Sequence, residues 1–234
     1  MNYTELTKDV KFWVSGDSTA TIDFSDADIV RSVNLYYDEI VSVIMKSCGR
    51  WEWDDNNYDT LPIAVTDLKS GQEDYEIDAA EFLNLLRLDM KDPSGNKIQL
   101  EPMSQEDKRG TAMTEWAKTA GTPHHYDKIG NSFILYPTPN YSSDEGLQVY
   151  FQRIPDYFAA EDTTKTPGFN PLYHRYLSLG AAVDYCSVNN MPDRLNILIP
   201  KMEEIKANIQ NDYSKRSRDE HLRASTYKES YRPE

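Results

Sequence analysis

The 234-residue sequence predicts an α+β protein, with helices towards both ends of the chain and a small antiparallel β region between them. Three observations carry that prediction. Residues 25–48 place apolar side chains at helical spacing. Residues 61–155 change to a period of two, broken by Gly, Pro and Asn. Residues 170–212 return to helical spacing, after which periodicity is lost.

Residues 1–24 are mixed, with an apolar patch at Val10, Phe12, Trp13 and Val14, and predict a loop or short helix followed by an irregular connection. Ser25-Asp26-Ala27-Asp28 is a capping-box variant, a hydroxyl at the N-cap and a carboxylate three residues on. Ile29, Val33, Tyr36, Ile40 and Ile44 follow on one face, with Val30, Tyr37 and Val41 beside them. This predicts an amphipathic helix of about six turns, ended by Gly49.

Ile63 and Val65 alternate with smaller residues, and Tyr75 and Ile77 flank Glu76. Leu86, Leu88 and Met90 alternate with Arg87 and Asp89, which predicts a sheet with one wet face. Asp92-Pro93-Ser94-Gly95-Asn96 reads as a hairpin turn into Lys97–Leu100, and residues 103–120 as one or two short helices. From Pro123 to Phe158, two β runs flank Gly130-Asn131 and a third follows Pro137-Thr138-Pro139, the pattern of one small antiparallel sheet.

Asn170-Pro171 is a helix start, with Leu172, Tyr176, Leu179, Val183 and Cys186 as the apolar stripe and Gly180-Ala181-Ala182 small enough to let another helix close in. Pro192 opens the last helix, with Leu195, Leu198, Met202, Ile205 and Ile209 on one side and an expected interruption at Pro200. The domain reading is therefore 1–60, an N-terminal segment and first helix; 61–155, a β-domain; 156–212, further helices; and 213–234, an extended arm.

Net charge is −14, but it is uneven: residues 1–200 hold 17 Lys and Arg against 32 Asp and Glu, whereas residues 201–234 hold 8 against 7. An acidic body argues against gripping nucleic acid through phosphate contacts, which need clustered cations, and leaves open a chain that lets DNA slide past without holding it. No apolar run approaches the roughly 20 residues of a membrane helix, and Met1–Glu5 lacks the character of a signal peptide. Cys48 and Cys186 lie far apart and read as buried free thiols.

Catalytic signatures are thin. The sequence holds no P-loop, dinucleotide turn, nucleophile elbow or Cys-x-x-Cys, and no cofactor is expected. His124 and His125 are adjacent, so a strand points them to opposite faces and one metal ion cannot take both. Trp51-Glu52-Trp53-Asp54-Asp55 reads two ways. Aromatic platforms with carboxylates suit a polysaccharide-acting enzyme or a carbohydrate-binding protein, which is the alternative function considered. The plainer reading is that both indoles pack the loop down.

Taken in order, several short motifs form a series: Trp51-Glu52-Trp53, Leu61-Pro62, Gly71-Gln72, Tyr75-Glu76-Ile77, Gly95, Leu100 and Pro102, Pro123 and Tyr126, Ile134–Pro139, Leu147–Arg153, Phe158, Asp162-Thr163, Pro167-Gly168, Ala181-Ala182 and Tyr185. This series resembles the head-to-tail adaptor (head completion, or connector) proteins of tailed double-stranded DNA phages, most closely those of short-tailed phages. The resemblance covers most of residues 25–210 and implies a helical bundle with a β-domain inserted between its helices. It further implies a virion protein, assembled in the host bacterial cytoplasm, that forms a ring of about twelve copies under the portal protein. Such a ring leaves a channel for double-stranded DNA and receives the next tail component. The C-terminal arm would bind the portal. Its Tyr213, Arg216, Arg218, Arg223, Tyr227, Tyr231 and Arg232 are the expected contacts, since Arg and Tyr anchor interfaces.

Overall fold

Asn2 starts the first helix by accepting a hydrogen bond from the Glu5 N–H while the Glu5 carboxylate accepts one from the Asn2 N–H, a complete capping box. The computed structural model describes residues 1–48, 53–77, 81–103 and 119–219. They fall into two compact units. One comprises residues 1–52, 157–166 and 170–234, and the other residues 53–156 and 167–169.

In the helical unit, α1 (Tyr3–Ser15) buries Tyr3, Leu6, Val10 and Val14 and ends at Gly16, whose φ of 90° suits glycine. The residue-level expectation of a short helix here holds. Helix α2 (Asp26–Cys48) begins as its capping residues predict. The Asp28 N–H donates to Ser25 Oγ at 3.1 Å, and the Ser25 hydroxyl donates back to the Asp28 carboxylate at 2.5 Å. Of its predicted stripe, Ile29, Val33, Ile40 and Ile44 are each 0% exposed, whereas Tyr36 is only half-buried and Tyr37, expected beside the stripe, is the fully buried tyrosine. Gly49, its expected terminator, lies outside the described residues.

Asn170 caps a 3-10 turn (Pro171–Tyr173) before α3 (Arg175–Val188) begins. That turn has three residues per revolution, so Leu172 leaves the stripe expected for it and stands 77% exposed. Gly180 lies in α3 under the ring of Tyr36, whose hydroxyl donates to the Asp184 carboxylate at 2.9 Å. Burial and that carboxylate push the Tyr36 phenol well above its ordinary pKa. Cys186 is a buried free thiol.

Helix α4 (Pro192–Asp219) is continuous through Pro200, the position at which a kink was expected. Pro200 sits on the exposed face, and Leu198 and Met202 on either side of it are buried. The four helices pack on one another: α1 on α3, α2 on α3 and α4, and α3 on α4. The strand-like stretch before Asn170 is tied to α2 by Asn34, whose side chain bonds both the N–H and the C=O of Phe158, at 3.0 and 2.9 Å. The Phe158 ring then stacks on Tyr3.

Among its described residues the second unit has eight strands: β1 (Ile63–Leu68), β2 (Asp74–Glu76), β3 (Phe82–Lys91), β4 (Lys97–Gln99), β5 (Glu101–Pro102), β6 (His125–Ile129), β7 (Ser132–Tyr136) and β8 (Ser143–Arg153). They form two four-stranded sheets, ordered β1-β8-β3-β4 and β2-β7-β6-β5. The single sheet expected from Pro123–Phe158 is thus divided. The β6–β7 hairpin belongs to one sheet, and β8 crosses to the centre of the other. The second sheet is mixed, since β5 runs parallel to β6.

The apolar faces of the sheets share one core, Leu68, Tyr75, Leu88, Met90, Leu100, Phe133, Leu135, Leu147 and Val149. The wet face expected on β3 is only half present. A register shift between Leu85 and Arg87 displaces the alternation, and Asp89 is 3% exposed with its carboxylate 2.5 Å from Arg87 Nε. The hairpin turn at Asp92–Asn96 is as predicted, with the Asp92 carboxylate accepting from the Ser94 and Asn96 N–H groups. The short helices expected within 103–120 lie almost wholly outside the described residues.

Candidate functional site

The loop carrying Trp53, Asp54 and Asp55 is held by hydrogen bonds from Trp53 and to Asp55. Trp53 is 3% exposed and its indole N–H donates to the Arg153 carbonyl at 2.8 Å. Asp55 is 1% exposed. Its Oδ1 accepts from the Asn57 N–H and its Oδ2 from the Asp156 N–H, both at 2.9 Å. Gly168 leaves room for that carboxylate, since a Cβ there would lie 1.8 Å from Asp55 Oδ1. Trp51 lies outside the described residues.

Arg153 adds to these bonds. Its guanidinium donates to the Thr60 carbonyl at 2.7 Å, to Thr60 Oγ1 at 3.0 Å and to the Leu61 carbonyl at 2.6 Å, and it lies over the Tyr58 ring. Asp54 is the loop's strained member. Its Oδ1 is buried without a hydrogen-bond partner, and burial pushes its carboxyl above the ordinary range, opposed by the nearby Arg153 charge. The buried indole and the Asp55 carboxylate, committed to two backbone N–H groups, give this loop a packing role. Nothing near Asp55 in sequence identifies Asp156 or Gly168 as its partners. The only signal was Gly168 itself, a glycine following Pro167 at a close approach.

The predicted portal contacts are placed differently from one another. Tyr213 is 5% exposed, one turn beyond the buried Ile209 on α4. Arg216 and Arg218 belong to the same helix, so the chain is helical at least to Asp219, where an extended arm was expected from Tyr213. Arg223, Tyr227, Tyr231 and Arg232 lie outside the described residues. His124 is exposed and His125 half-buried at the start of β6, and no group of three ligating side chains occurs among the described residues. No helix among the described residues is long and apolar enough to cross a membrane.

One concave surface was not anticipated. A groove of about 340 Å³ opens in the β unit between β1 and β2, the edge strands of the two sheets. Ala64, Val65 and Thr66 form one wall, Tyr75, Glu76 and Ile77 the other, and the floor is core, including Phe133 and Val149.

A family model described as SU10 adaptor protein matches residues 1–215, which takes in both units and every described helix and strand apart from the last turn of α4. No curated protein matches the chain.

Proposed function

The chain belongs to the SU10 adaptor protein family, a family of structural phage adaptors, and from that premise we propose that it forms an oligomeric ring between the portal and the tail. The family match over residues 1–215 is the observation that carries this reading. In it the helical unit supplies the ring's body, the channel is extended for double-stranded DNA, and the next tail component docks on the far side. An acidic body supports the passage of DNA without sticking, because like charge repels phosphate.

The portal contact in this proposal is the C-terminal segment. Tyr213 anchors the helix that carries it, Arg216 and Arg218 continue it, and Arg223, Tyr227, Tyr231 and Arg232 make the contact. Native mass spectrometry of the chain alone and mixed with the portal ring from the same phage tests the proposal. The expected result is a complex of ring stoichiometry in the mixture. A chain that stays monomeric in both samples refutes it. The carbohydrate alternative finds no support in the geometry of the Trp53–Asp55 loop, where the indole is buried and the Asp55 carboxylate serves two backbone N–H groups.

A further inference from the structure

We infer that the groove between β1 and β2 receives an extended segment of a neighbouring, different protein of the particle, which adds as a strand. The inference rests on the adaptor reading and names a second docking surface, on the β unit. Among the described residues both walls are edge strands: β1 pairs with β8 alone and β2 with β7 alone. Edge strands present backbone N–H and C=O groups that a further strand satisfies. The floor is apolar core, and Val65 on the β1 wall is 49% exposed. A compact ligand would need several convergent polar groups to orient it, and the described lining offers only backbone edges, the Thr66 and Tyr75 hydroxyls and two carboxylates.

Charge selects the occupant. Glu76 and Glu81 line the groove, and the described lining contains neither Lys nor Arg. Glu81 has the buried Arg153 at 3.8 Å, whereas Glu76 forms no ion pair among the described residues. The occupant therefore carries a Lys or Arg beside its apolar side chains. Another copy of this chain brings residues 1–200, with 32 acidic residues against 17 basic, so acid would meet acid. A separate protein with a basic, alternately apolar stretch fits both features.

The test places the photoreactive residue p-benzoylphenylalanine at position 65 of the full chain, in phage particles. Particles are illuminated and the cross-linked peptides sequenced by mass spectrometry. The expected adduct is a stretch of a different protein with apolar residues at alternate positions and a Lys or Arg among them. Glu76→Lys should lower adduct yield about tenfold, and Glu76→Gln by a smaller factor, with folding of each variant checked by circular dichroism. Adducts only to another copy of this chain, residues 220–234 included, overturn the inference, as does an adduct yield indifferent to folded Glu76→Lys. The chain's presence in particles without any adduct overturns the groove alone. Its absence from particles overturns both the groove and the adaptor reading.

Discussion

Replacing Gly180 by alanine sets two physical effects against each other. In an isolated helix the change is favourable by about 1 kcal/mol, because glycine loses more backbone freedom than alanine. Here the new Cβ would lie 2.3, 2.4 and 2.6 Å from ring carbons of Tyr36. Either α2 and α3 separate or the ring swings away, and overpacking of this kind costs about 1–3 kcal/mol. If the ring swings, the Tyr36 hydroxyl also leaves Asp184, a bond to a charged group worth about 1.5–3 kcal/mol.

Set against the propensity gain, the sum is a loss of about 2–3 kcal/mol, or roughly 5–10 °C in Tm for a chain of this size. Thermal unfolding followed by far-ultraviolet circular dichroism measures it. The same change made in a Tyr36→Ala background should be neutral or stabilising, so the double-mutant cycle should show a coupling of about 3 kcal/mol. A Gly180→Ala protein that melts at or above the parent temperature would show that helix propensity outweighs the contact, and the packing argument fails.

Three other outcomes follow from the same kind of reasoning. Asp55→Ala strands the N–H groups of Asn57 and Asp156 and should cost about 3 kcal/mol in denaturant titration, whereas a catalytic Asp55 would lose activity with stability intact. Asp54 has a folded-state pKa raised by burial, so the stability it contributes is fully present at acid pH and is lost as pH rises through that pKa. Asp54→Asn should therefore raise Tm more at pH 7 than at pH 4, and an equal effect at both sinks the argument. Tyr213→Ala should lower stability by about 2–3 kcal/mol because the side chain is buried, whereas joint replacement of Arg223, Tyr227 and Arg232 by Ala should leave the melt unchanged and reduce the portal complex seen by native mass spectrometry.

What the sequence discloses here is local. Helix α2 was legible because its cap, Ser25 with Asp28, and its stripe, Ile29 to Ile44, lie within one element. Gly180-Ala181-Ala182 announced a close approach, but not that Tyr36 fills it, because the partner comes from more than a hundred residues away in the chain. Leu172 was misplaced because a 3-10 turn and the first turn of an α-helix share the same Asn-Pro start. The division of β6–β7 from β8 was unreadable, since alternation states which face is apolar and not which strand will lie alongside. Asp54-Asp55 beside two tryptophans reads two ways because a carboxylate's chemistry is the same in a sugar site and in a packed loop. The backbone partners of Asp55, which decide its role, are distant in sequence. The groove left no periodic mark, being defined by two strands that do not pair.

The helical unit is drawn from two separated stretches of chain, and that has a consequence during synthesis. Helices α1 and α2 leave the ribosome first, yet their partners α3 and α4 come only after the whole β unit. Roughly 130 residues separate the end of α2 from the start of α3, which at about 5–20 residues per second is on the order of ten seconds of translation. For that interval the Ile29–Ile44 stripe has no native surface to cover it, while the β unit, continuous but for residues 167–169, has nearly everything it needs to fold. The nascent chain should therefore be a substrate for chaperones that bind apolar helices. Slowing translation within residues 53–156 should lower the yield of soluble protein, and slowing it after residue 192 should not.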